Sequence, residues 1–69
     1  MKFSEKLQQL LSEQGLTGYA VSKGTGLPKS TISRILNGEA SNPRSSTLAE
    51  IAAFLGITTI ELTNGTDLQ

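Results

Sequence analysis

An all-α domain of five short helices is the fold this sequence predicts. Three observations carry it. Apolar residues recur at spacings of three and four, the period of a helix face. Glycine or Asn-Gly follows each periodic run, where a helix would stop. No stretch alternates with the period of two that a half-buried strand shows. The 69 residues allow one domain with a small core.

The first helix is expected over about Phe3 to Gln14, with Phe3, Leu7, Leu10 and Leu11 on one face. Ser4 is a candidate N-cap. Gly15 suits the stop, and Leu16 is placed to fold back as its apolar contact. The second helix is expected over 17–25, with Thr17 as N-cap. It is a weak helix by propensity, because Gly18 and Gly24 each cost up to about 1 kcal/mol against Ala in a helix interior. Packing through Val21, Ser22 and Thr25 must hold it. Gly26 then breaks the chain direction.

The third helix is expected over 28–37, opening on Pro28, whose missing N–H is harmless in a first turn. Asn37-Gly38 closes it. Glu39 to Arg44 reads as a loop, with Pro43 preventing helix continuation. The fourth helix begins at Ser45 or Ser46 and runs to Leu55, with Leu48, Ile51, Ala52 and Leu55 facing the core. Phe54 falls off that stripe and is expected either under the first helix or at a dimer contact. The fifth is short: Thr58-Thr59-Ile60-Glu61 has the form of a capping box, and Asn64-Gly65 ends it. Residues 1–65 form the domain, and 66–69 read as a frayed tail or the start of a linker.

Composition excludes several classes. Cys and His are both absent, which removes a disulfide framework and the common soft-metal sites. Without His, Cys or clustered carboxylates, acid–base and nucleophilic catalysis lack their residues. An enzyme is not expected, nor a cofactor or small-molecule ligand. No apolar run approaches the roughly 20 residues of a membrane span, and charged residues interrupt the N-terminus at once, unlike a signal peptide. A soluble cytoplasmic protein is the expectation.

Net charge is zero, but its distribution is not even. Residues 1–44 hold all six bases and three acids, 6 − 3 = +3; residues 45–69 hold three acids and no base, −3. Such a dipolar chain points to a charged partner. The third helix sharpens this. At about 100° per residue, Lys29, Ser33, Asn37, Ser30 and Arg34 share one face, while Leu36, Ile32 and Ile35 share the other. The polar face carries donors of the kind that read base edges and grip phosphates, with no acid among them.

The second helix, the Gly26 turn and the third helix form a helix-turn-helix. Gly26 supplies the backbone freedom of the turn. The string Leu16-Thr17, then Thr25 through Gly38, then Asn42-Pro43, Thr47-Leu48, Ile51-Ala52, Leu55-Gly56-Ile57, Leu62 and Asn64-Gly65 resembles the DNA-binding domain of lambda-type phage repressors and Cro proteins, the wider Xre-like family. The Thr-Ile-Ser-Arg-Ile-Leu-Asn-Gly stretch and the Asn-Pro-Arg loop are especially similar to prophage repressors.

That resemblance implies a lambda-repressor-like fold whose third helix enters the major groove of double-stranded DNA. It implies base reading by Lys29, Ser30 and Arg34. It implies flanking or phosphate contacts by Thr17, Gly18, Tyr19, Pro28, Thr31, Ser33, Asn37 and Arg44. Charge adds Lys6 and Lys23 as expected phosphate contacts. Phe54, Ile57, Ile60 and Leu62 are the dimer candidates, with closure of the core as the alternative for at least one. The implied function is a bacterial, nucleoid-associated transcriptional repressor, the N-terminal domain of a phage or prophage repressor binding a near-palindromic operator as a homodimer. The alternative is a protein-interaction or antitoxin-like regulatory module.

The chain also departs from the pattern. Gly18 stands where the family often has a Gln that anchors the second helix to phosphate, and the Tyr19 hydroxyl is the nearest substitute. Ser22 replaces a usual Ala and Thr25 a usual apolar residue, which weakens the second helix on paper.

Overall fold

A computed structural model describes residues 1–40 and 43–68 of the chain. Its helices are α1 (Phe3–Gln14), α2 (Gly18–Thr25), α3 (Lys29–Leu36), α4 (Ser45–Leu55) and α5 (Thr59–Thr63), with no strand among the described residues. The five expected helices are therefore present. Asn42, part of the expected Asn-Pro-Arg loop, and Gln69, part of the expected tail, lie outside the described residues.

One core joins all five helices. Phe3, Leu7 and Leu11 of α1 meet Val21 of α2, Ile32 and Ile35 of α3, Ile51, Ala52 and Leu55 of α4, and Leu62 of α5. Each comes from the apolar face its helix periodicity marked. Burial of these side chains is the main stabilising term, at about 1.5–3 kcal/mol for each large one. The radius of gyration, 10.5 Å, matches the roughly 11 Å expected for a compact chain of this length.

Several helix ends are satisfied by nearby residues. The Thr17 hydroxyl oxygen accepts from the Ala20 N–H at 3.1 Å, as an N-cap should. Thr58 does the same for Glu61 at 3.1 Å, and its own hydroxyl donates to the Glu61 carboxylate at 3.2 Å. At the far end of α3, Gly38 sits at φ +79°, a left-handed conformation that favours glycine. There the Gly38 N–H donates to the Ile35 carbonyl and the Glu39 N–H to the Arg34 carbonyl, at 3.1 and 2.9 Å, closing a Schellman motif. Leu16 and Ile57 pack on the core just beyond the stops of α1 and α4.

Four expectations are corrected. Lys2, not Ser4, is the N-cap residue of α1, and the Glu5 carboxylate accepts its N–H at 3.3 Å. Pro28 is the N-cap of α3 and lies just outside it, its carbonyl accepting from Thr31 and Ile32. Residues 66–68 are not frayed. Thr66 is buried, Leu68 packs on the core, and Asp67 accepts from the Phe3 N–H at 2.9 Å while its own N–H donates to the Met1 carbonyl at 3.1 Å. A carboxylate at the first turn of α1 is favoured by the helix dipole. Phe54, finally, seats its ring against α2 at Gly24. That seat is on the second helix rather than under the first.

Candidate nucleic-acid interface

The turn between α2 and α3 positions the whole surface. Gly26 adopts φ +78°, and its N–H returns to the Ser22 carbonyl at 2.9 Å. Leu27 is then held from both sides of its backbone. The Ser22 hydroxyl donates to its carbonyl at 2.6 Å, and the Thr25 hydroxyl oxygen accepts its N–H at 3.2 Å. Thr25 also donates to the Val21 carbonyl at 2.7 Å. Ser22 and Thr25 therefore latch the turn through hydrogen bonds that Ala or an aliphatic residue could not make. Their departure from the family's usual types is compensated on the spot.

Beneath the latch, Ile32 and Ile35 are buried and fix the rotation of α3 about its axis. The opposite side is necessarily outward. Lys29, Ser30, Ser33, Arg34 and Asn37 are all exposed. Ser30 and Arg34 form the crest of this face, and a hollow lies on each flank. The hollow toward α2 measures about 250 Å³ and is lined by Gly18 and Tyr19 from α2 and by Lys29, Ser33 and Asn37 from the α3 side, over Ile32 and Leu36. The other, about 330 Å³, is bounded by Thr31 of α3, by Pro43 and by Arg44, the N-cap of α4. A convex crest between two concave flanks suits a groove whose two backbones lie on either side of the reading helix.

Electrostatics agree with the shape. Residues 14–38 carry Lys23, Lys29 and Arg34 and no acid. Among the described residues no carboxylate pairs with Arg34, so its planar donor fork is not committed to an ion pair. Tyr19 is 55% exposed, and the ammonium groups of Lys23 and Lys29 lie 5.7 and 5.1 Å from its ring centre. At the start of α2, the N–H groups of Ala20 and Val21 are taken by Thr17. Those of Gly18 and Tyr19 head the first turn, where anions are favoured.

Gly18 has a packing role as well. A Cβ there would lie 3.2 Å from Leu36 Cδ1 and 3.6 Å from Ile32 Cγ2. Glycine thus lets the first turn of α2 close onto α3 and keeps the hollow open.

Most of the residues named from the sequence are brought together here: Thr17, Gly18, Tyr19, Lys23, Pro28, Lys29, Ser30, Thr31, Ser33, Arg34, Asn37 and Arg44 belong to α2, α3, their caps or the adjoining loop. Lys6 does not. Its ammonium donates to the carbonyls of Glu61 and Asn64 at 2.8 and 2.6 Å, closing the C-terminal end of α5. A cation at the C-terminal end of a helix is favoured by the helix dipole, so Lys6 serves the fold there. Among the dimer candidates, Leu62 is fully buried and offers no surface, which corrects that expectation. Ile57 is half-buried against the core, and Ile60 is 79% exposed. The latch at Leu27 was the feature missed in the sequence; its signal was two hydroxyl residues, Ser22 and Thr25, ahead of the turn glycine.

Among the described residues no group of three or more metal-ligating side chains is assembled, and no helix is long and apolar enough to cross a membrane. The family model described as Cro/C1-type HTH DNA-binding domain matches residues 6–64. No curated protein and no solved structure matches the chain.

Proposed function

The chain belongs to the Cro/C1-type helix-turn-helix DNA-binding domains, and from that premise we propose that it is a repressor domain that reads a near-palindromic operator in double-stranded DNA as a homodimer. The family match supports DNA binding and a regulatory role. The observation that supports operator reading is the exposed face of α3. Ser30 and Arg34 are exposed and line neither of the two hollows beside them, in a segment with three cations and no acid.

In this reading Ser30 and Arg34 meet base edges, Arg34 by a bidentate contact to guanine O6 and N7. Lys29 stands beside them at the first turn of α3. Thr17, Gly18, Tyr19, Lys23, Ser33 and Asn37 serve the backbone on the α2 flank. Pro28 shapes the entry to α3, and Thr31 and Arg44 serve the opposite flank. A phage or prophage source fits the motif strings, and an intracellular setting follows from the partner. Ile60, with its exposed side chain on α5, is the best remaining dimer contact. Two half-sites about one helical turn apart supply the affinity that one sparsely charged unit lacks.

Selection of bound sites from random duplex DNA, followed by a salt titration on the winner, tests this. A two-fold-symmetric site and a linear fall of log K with log salt are expected. A slope near zero overturns the proposal.

A further inference from the structure

We propose that Tyr19 is a positioning residue whose ring gathers Lys23 and Lys29 into one two-cation clamp for the DNA backbone. The inference rests on the DNA-binding reading and adds to it a residue whose part is played by its ring. Lys23 lies one helical turn beyond Tyr19 on α2, so the two share a face. Lys29 reaches the same ring from α3, across the hollow that Gly18 and Tyr19 help to line. Both ammonium groups lie within cation–π range, at 5.7 and 5.1 Å. An exposed aromatic residue acquires a function in this way.

Two consequences follow for the lysines. Each has a flexible stem that loses freedom on gripping an anion. The ring restricts both before DNA arrives, and brings together charges from the two helices of the motif. Lys29 is also drawn toward α2 and off the crest held by Ser30 and Arg34. It therefore meets backbone rather than a base edge.

The test compares Tyr19→Leu and Tyr19→Phe with the unaltered chain on the selected duplex across a salt series. Tyr19→Leu is expected to weaken binding about five- to tenfold and to make the salt slope shallower by about one. Tyr19→Phe restores both, because the ring remains. Equal loss in Phe and Leu would assign the effect to the hydroxyl and overturn the clamp. Proton NMR of the free protein gives an independent arm: the Lys23 and Lys29 methylene protons beside the ammonium should be shifted upfield by the ring, and should lose that shift in Tyr19→Leu. Unshifted methylenes in the unaltered chain overturn the clamp without touching the DNA reading. Shifted methylenes with no salt-dependent duplex binding overturn the DNA reading, and the clamp's ligand with it. Lys29→Ala completes the set. Equal weakening on selected and random duplex supports the backbone role, and loss confined to the selected site overturns it.

Discussion

Phe54 of α4 lies over Gly24 of α2 so closely that a Cβ at Gly24 would overlap its ring. The absence of a side chain is thus a packing requirement between two helices. In an exposed helix, Gly→Ala stabilises by about 1 kcal/mol. Here Gly24→Ala should destabilise by about 1–3 kcal/mol, because the ring must leave its seat. Urea unfolding measures it, and a raised midpoint would refute the seat. Gly24→Ala combined with Phe54→Leu should recover part of the loss.

The latch at Leu27 predicts a local effect. Ser22→Ala leaves the Leu27 carbonyl without its hydroxyl donor and should cost about 1 kcal/mol. Thr25→Val should cost about as much and also speed hydrogen exchange at the Leu27 amide, whose acceptor it removes. Unchanged exchange at Leu27 would mean that the turn holds without Thr25.

Arg34 separates recognition from attraction. Arg34→Ala should cost about 1–3 kcal/mol on the selected duplex and much less on random duplex, so that sequence preference relaxes. Competition binding with both duplexes reads the difference. Equal loss on the two would move Arg34 to the backbone.

Lys6 predicts the reverse pattern. Lys6→Met removes two hydrogen bonds to the α5 carbonyls and should cost about 1 kcal/mol of stability, discounted for their exposure. Duplex affinity of the folded fraction should hold. A shallower salt slope with intact stability would return Lys6 to the phosphate contacts.

Ile60→Lys tests the dimer. An exposed position tolerates the change within about 0.5 kcal/mol of stability. Affinity for a duplex with two half-sites should fall by more than about 1 kcal/mol if α5 meets its copy, while affinity for a single half-site stays. Parallel losses on both duplexes would place the dimer contact elsewhere.

Local features were legible in the sequence, and distant ones were not. Helix bounds came through because caps such as Thr17 and Thr58 act three residues away, and because the apolar faces repeat within each helix. The outward face of α3 came through for the same reason, since Ile32 and Ile35 determine what is opposite them. The bonds of Lys6 to the Glu61 and Asn64 carbonyls could not be read from the sequence, because charge alone does not distinguish a phosphate from a bare carbonyl. Ser22 and Thr25 read as weaknesses of α2, because the Leu27 backbone that they hold lies beyond the helix end. Gly24 counted only as a propensity cost until Phe54, thirty residues on, filled its space. The 66–69 tail read as loose because Asp67 finds its partners at the other end of the chain.

That last pairing gives the chain the topology of a nearly closed ring, with residues 67 and 3 joined at 2.9 Å across 64 positions. Its parts should then assemble on different schedules. The α2–α3 turn is stitched by bonds no more than five residues apart, so it can form early from a short stretch of chain. The first turn of α1 waits for the opposite end of the polypeptide to arrive, and ring closure is expected to fall after the folding transition state. Substitutions at Asp67 should accordingly speed unfolding while leaving the rate of folding almost unaltered.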